Sequence, residues 1–451
     1  MSLTAMAFVA AYVILLVLAF VRHPIFGLFG YLLAFYNHPP IRWWGAGLPD
    51  VRWALYAASF ALIASFLRPP ARSQAGGLSG TPAKLIVLYC AWMWAQLAWA
   101  VSPPSALEGA ILFTKYVVLL VLIARTVDSV ERLDQFVWAH VIGCFIFGWI
   151  AWRSPHMSHG RLEGIGGPGV DDSNTLGVHM ITGLSFAGFK LLSTRSWIAR
   201  GALVVMTAFI MNTVVLTGSR GALVGMAVAG VVAVVLAPPG MRKTIVSLAA
   251  LGAVLLLILG HDQFWERMST IRDYQSEESA HSRFEFIAPT LRMFRAHPLG
   301  VGHEGFRKLS PQYIPANLLS EDGTRSPHTT ILAVLAEQGI VGIVLFGLLN
   351  IFVMRDLFRA RRAVAAVSDE ARILYPITAI GCSLAAFAIC GLTGNYLKCE
   401  AQMWFIGLLT VIPGLVAVGE GVEEPAASEL QLSDPPSVQA DISALSAPSI
   451  R

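Results

Sequence analysis

The sequence predicts an all-α polytopic membrane protein, and three observations carry that reading. Of 451 residues, 55% are hydrophobic and only 13% are Asp, Glu, Lys or Arg, about half the charged share of an ordinary soluble domain. The mean hydropathy is +0.64. Apolar runs long enough to cross a bilayer core of about 30 Å recur along the chain. A soluble globule is excluded on these grounds. With 32 basic and 28 acidic residues the formal net charge is +4, too small and too dispersed to point to a nucleic-acid partner.

Twelve spanning helices are read at 3–21, 51–67, 84–101, 106–124, 134–152, 174–193, 197–216, 219–236, 243–260, 328–352, 372–392 and 400–418. The first is read as a retained helix, because its start lacks the charged, apolar and cleavage segments of a signal peptide. Residues 24–36 are apolar but short, and are read as a re-entrant or interfacial piece. Basic residues mark alternate connections: Arg68, Arg72 and Lys84, then Arg125 and Arg132, then Lys190, Arg195 and Arg200, then Arg242 and Lys243, then Arg355 to Arg362. These are assigned to the cytoplasmic side. The connections 102–105, 153–173, 217–219, 261–327 and 393–398 then face outward, and Met1 lies inside provided that 24–36 does not span.

The chain divides accordingly into 1–260 with nine helices, 261–327 as a large outward loop, 328–418 with three helices, and 419–451 as a cytoplasmic tail. The tail has the Glu, Ser, Pro and Ala content of disordered chain. The loop holds Phe264, Trp265, Tyr274, Phe284, Phe286, Phe294, Phe306 and Tyr313, enough apolar area for a small folded cap. Cys90, Cys144, Cys382 and Cys390 lie inside apolar runs and Cys399 at the edge of one, so they are read as packing residues rather than disulfide or zinc ligands.

Chemistry is expected at helix starts on the outward face. In Thr217-Gly218-Ser219-Arg220 the serine is read as an N-cap and Arg220 as the first helical residue. Ser282 and Glu285 have capping-box spacing, which puts Arg283 just inside another start. Ser326-Pro327-His328 places His328 at the second position of a third. A cation at a helix N-terminus opposes the macrodipole by about 0.3–1 kcal/mol, and an anion reverses that penalty: free amides and a guanidinium fork together suit phosphate oxygens. The competing readings are that the arginines snorkel or pair with acids, and that His328 is a hydrogen-bonded junction residue. A helix N-terminus favours neutral imidazole, the form a general base needs. Asp171 and Asp172 are read as caps of the helix that follows, with a metal site as the alternative. Arg161, Asp172, Arg325 and Tyr313 are further candidate contacts for glycan or phosphate.

These residues resemble a family. The Thr217–Ala222 helix start, the His297-Pro298-Leu299-Gly300-Val301-Gly302 turn, and Ser326-Pro327-His328 followed by Leu335-Ala336-Glu337-Gln338-Gly339-Ile340-Val341-Gly342 look like the O-antigen ligase (WaaL) and Wzy polymerase superfamily, over roughly residues 150–420. His38-Pro39-Pro40 and Trp43-Trp44-Gly45 are similar to an exosortase-associated subgroup of O-glycosylation ligases. Where ligases often show His-Asn, this chain has His328-Thr329. The resemblance implies a GT-C-type fold in the bacterial inner membrane and an active site facing the periplasm. The reaction it implies is transfer of a glycan from undecaprenyl diphosphate to the lipid A-core oligosaccharide. Arg220 and Arg283 take the place of diphosphate ligands and His328 that of the acceptor-activating residue. Neither metal nor cofactor is expected, and the partners are the lipid-linked donor, the lipid A-core acceptor and membrane lipids. The rivals are a Wzy-type polymerase, a protein O-oligosaccharyltransferase and, from another class, a transporter or flippase, for which ionisable residues at the midplane and internal repeats would speak.

Overall fold

The computed structural model describes residues 1–68, 80–238, 240–269, 285–327, 329–364 and 370–420. Arg283, His328 and the tail beyond 420 lie outside them. In chain order the helices are α1 (Leu3–Val21), α2 (Ile25–Asn37), α3 (Trp53–Leu67), α4 (Thr81–Ala95), α5 (Pro103–Thr126), α6 (Val130–Arg153), α7 (Ser173–Ser193), α8 (Trp197–Thr217), α9 (Arg220–Val235), α10 (Arg242–Leu259), α11 (Asp262–Ser269), α12 (Ile287–Ala296), α13 (Gly305–Tyr313), α14 (Thr330–Val364), α15 (Glu370–Cys390) and α16 (Ala401–Glu420). Among the described residues eight helices are long and apolar enough to cross a membrane, and three shorter ones, 53–67, 220–235 and 401–416, are apolar too. The chain is an all-α polytopic membrane protein. Starts are fixed by local chemistry: Ser2, Ser129, Asp172, Ser196 and Ser219 each accept a first-turn amide, and α4 and α5 carry proline in their first turn.

The stretch read at 24–36 corresponds to the short helix α2, which packs beside α6. His23 Nε2 lies 3.4 Å from Asp128 Oδ2, just before α6, and Arg68 donates to the Val21 carbonyl at 2.7 Å. At the other end of α2, Arg42 donates to Asn37 O and Ile165 O, beyond the end of α6. The short helix is thus anchored at both of its ends. Most of its residues, from Ile25 through Tyr36, are covered by protein. Met1 lies against Gly47, at the end opposite Arg68.

One interlock sets the position of the last third of the chain. Gly339, with φ 64° and ψ −160°, breaks α14, in a region of backbone space essentially reserved for glycine. The carbonyls freed by the kink find partners: Ala336 O accepts from Val301 N, Glu337 O from Gly302 N and Gln96 Nε2, and Gln338 O from Trp92 Nε1. Ile340 N donates to Pro298 O at 2.9 Å. Gly300, itself at φ 83°, faces Gly339 so closely that a Cβ on either would lie within 2.6 Å of the other's backbone. The 297–302 turn and the 335–342 run are thus two halves of one contact.

The 261–327 segment is folded where described. Helix α11 seats Phe264 and Met268 against Val215 of α8, while Phe286, Met293, Val301, Phe306 and Ile314 form a small core over Ala336.

Candidate active site

The candidate site is built on the turn between α8 and α9. Gly218, at φ 55°, ends α8, and Ser219 caps α9 by accepting from Ala222 N at 3.2 Å. Arg220 follows as the first helical residue. A two-stranded hairpin, β1 (Met157–Ser158) with β2 (Arg161–Leu162), anchored by buried Leu162, brings Arg161 to this turn. Its Nε donates to Thr217 O at 3.2 Å and its Nη2 to Asn174 Oδ1 at 2.7 Å. Ser219 Oγ donates to the same Asn174 oxygen at 2.9 Å. Arg267, on α11, donates from Nε to Gly218 O at 2.9 Å. Burial and the neighbouring Arg267 pull the Arg161 pKa down, while Glu163 and Asp172 act against them.

A second turn, 391–399, joins this start to that of α14. Glycines at 221 and 225, one turn apart on α9, admit Thr393 and Cys390 at contact distance, and Cys390 Sγ donates to Gly221 O. On the other side Thr330 N donates to Gly391 O at 2.8 Å, Thr330 Oγ1 donates to Gly394 O at 2.9 Å, and Tyr396 N donates to Thr330 Oγ1 at 3.0 Å. The Arg220 start and the chain next to His328 are therefore two walls around one turn.

Helix α14 begins at Thr330, not at Pro327. Thr329 Oγ1 accepts from Leu332 N at 3.1 Å, so the threonine hydroxyl takes the capping place expected of Ser326; His328 itself lies outside the described residues. Asp172 caps α7: Oδ1 accepts from Asn174 N and Thr175 N, and Oδ2 from Thr175 Oγ1. Arg325 and Tyr313 lie in the cap, where Arg325 stacks 5.5 Å over Phe286 and Tyr313 O accepts from Arg292. Sequence reading missed Arg267 and the 391–396 turn. The first stands in an amphipathic stretch without a motif, and the second contributes mostly backbone.

Two buried clusters lie outside this site. In the helix interior, the Tyr36 hydroxyl is 2.7 Å from His140 Nδ1, 3.2 Å from His179 Nε2 and 3.8 Å from Cys144 Sγ. These three donors have metal-ligand character and lie within 4.8 Å of one another, but the phenol oxygen occupies the space among them, so each is satisfied by hydrogen bonding. Near the glycine interlock, His303 Nδ1 is 3.7 Å from Glu337 Oε2. That contact is no ion pair at neutral pH, because burial and Lys398, which pairs with Glu304, push the imidazole down to about 4. A histidine held neutral contributes stability above the unfolded-state value near 6.5, and that stability is lost as pH falls from there toward 4. Thermal unfolding at pH 7 and pH 5 should therefore show a larger acid loss for the wild type than for His303→Asn. Equal losses would show that His303 is not held neutral by its surroundings.

Comparison with known proteins follows from this geometry. No curated protein matches the chain. A solved chain described under "Structural coordination of polymerization and crosslinking by a peptidoglycan synthase complex" is 16% identical, covers 73% of this chain and 96% of its own, and superposes with a TM-score of 0.44. Residues 183–347, which contain the Arg220 helix start, the 297–302 turn and the Gly339 kink, match the family described as O-Antigen ligase (Wzy_C).

Proposed function

We propose that the protein transfers a glycan from undecaprenyl diphosphate to the lipid A-core oligosaccharide at the periplasmic face of the bacterial inner membrane, with inversion and without a metal. The acceptor hydroxyl gives its proton to His328 and attacks the anomeric carbon. The bond from that carbon to the diphosphate oxygen breaks, and Arg220 and Arg283 stabilise the charge on the departing diphosphate. Arg325 and Tyr313 are assigned to the glycan. The observation that supports this reading best is the Ser219-capped Arg220 start, inside the O-antigen ligase match and across the 391–396 turn from Thr330.

The purified protein is expected to bind undecaprenyl diphosphate, and Arg220→Ala to weaken that binding about tenfold to a hundredfold, the equivalent of about 1.5–3 kcal/mol for a charge-assisted contact. Its melting temperature should stay close to the wild type's. Unchanged binding by a folded Arg220→Ala protein would remove Arg220 from the site. Deleting the gene separates ligase from polymerase: a ligase leaves lipid-linked polymer to accumulate while lipopolysaccharide loses its long glycan, whereas a polymerase loses the polymer itself.

A protein acceptor is the second reading. His38 packs against Gly167 and Arg42 holds Ile165 O at 2.5 Å, so the segment resembling the O-glycosylation subgroup rests on the loop that carries Arg161. Loss of glycoprotein with intact lipopolysaccharide on deletion would favour it.

A further inference from the structure

We infer that Arg161 and Arg267 are positioning residues that turn the α8–α9 junction into an anion site by neutralising the end of α8. The inference rests on the diphosphate reading above.

A helix C-terminus carries the equivalent of about −0.5 charge and an N-terminus about +0.5. A tight turn between two helices sets these ends side by side, and their fields cancel where a ligand would sit. Here the last carbonyls of α8 are covered. Thr217 O accepts Arg161 Nε and Gly218 O accepts Arg267 Nε. Both are carbonyls of the kind a helix end leaves without an intrahelical donor. With two cations on the negative end, the end of α8 opposes an anion at the first-turn amides of α9 less strongly.

The same contacts fix geometry. Arg161 Nη2 and Ser219 Oγ both donate to Asn174 Oδ1, which turns the Ser219 lone pair toward Ala222 N and so sets the direction in which α9 starts. Arg267 is placed independently, by Phe264 and Met268 packing on Val215. Two unrelated segments, one before α7 and one after α10, thus bring guanidinium groups to adjacent carbonyls. Mutual repulsion between them opposes this, since Arg267 is among the groups lowering the Arg161 pKa, while Glu163, Asp172 and Tyr396 act in the other direction. A bound diphosphate supplies further negative charge.

The test uses the full chain in nanodiscs with undecaprenyl diphosphate as the probe. Arg267→Gln and Arg161→Gln should each weaken binding about three- to thirtyfold, the range expected for charges near a helix end, and raise the donor KM with little change in kcat. Arg267→Lys should bind within about threefold of wild type, because the charge is kept. A purely structural role predicts the opposite pattern: a lower melting temperature and a smaller active fraction, with unchanged affinity in the molecules that remain folded. Folded Gln variants with wild-type affinity overturn the inference. If a Gln variant does not fold, Arg267→Lys decides, and weakening beyond about tenfold in that variant overturns it equally. Should Arg220→Ala weaken binding while the Gln variants do not, the inference fails and the diphosphate reading stands. Should the wild type not bind the lipid, both fall together.

Discussion

His328→Ala is expected to reach the membrane folded, to bind undecaprenyl diphosphate, and to lose glycan transfer by about 10²–10⁴-fold, the usual cost of removing a general base. His328 lies outside the described residues, and the expectation comes from its neighbours. It directly precedes Thr329, which caps α14, and Thr330 is tied by three hydrogen bonds to the turn that also packs on α9 beside Arg220. A histidine with a merely structural role would show its loss as missing protein or a lower melting temperature. Measuring transfer, lipid binding and melting on one preparation separates the two. Near-normal transfer by a folded His328→Ala protein would move the base to another histidine of the outward face, His156, His159 or His303.

Gly339→Ala should be strongly damaging for a single added methyl. Its Cβ would lie 2.3 Å from Leu299 C, 2.4 Å from Gly300 N and 2.5 Å from Pro298 O, all backbone atoms that cannot swing aside. The backbone conformation alone costs a non-glycine residue about 1–3 kcal/mol, and displacing the turn breaks the hydrogen bonds that satisfy the kink. The variant is expected to accumulate poorly or to melt far below the wild type. Gly347→Ala, on the same helix with nothing within 4 Å of the added carbon, is the matched control and should be neutral or slightly stabilising. Equal melting temperatures for the two variants would mean that the interlock does not hold the fold.

Much of this architecture was legible because membrane helices announce themselves by composition. The long runs became α1, α5, α6, α7, α8 and α10, and Ser219 and Asp172 cap where their chemistry said they would. The misreadings have definite causes. The start of α14 was misplaced by three residues because Ser326-Pro327 is a strong start signal and Thr329 a weaker one that tertiary contacts at Thr330 favour. The glycine motifs at 297–302 and 335–342 were visible as sequence, but that they form a single contact was not, since pairing between segments leaves no local pattern. Arg267 was invisible for the same reason: what distinguishes it is the carbonyl of Gly218, which belongs to another helix.

The measurement that bears most directly on the central claim is reconstituted transfer. Purified protein in liposomes, supplied with undecaprenyl diphosphate-linked glycan and lipid A-core, should form glycosylated lipid A-core and release undecaprenyl diphosphate in equal amounts. It should do so in the presence of EDTA, because arginine side chains provide the charge stabilisation that a metal supplies in other transferases. Longer lipid-linked glycan in place of that product would contradict the ligase assignment, and abolition by EDTA with recovery on adding a divalent ion would contradict the metal-free mechanism.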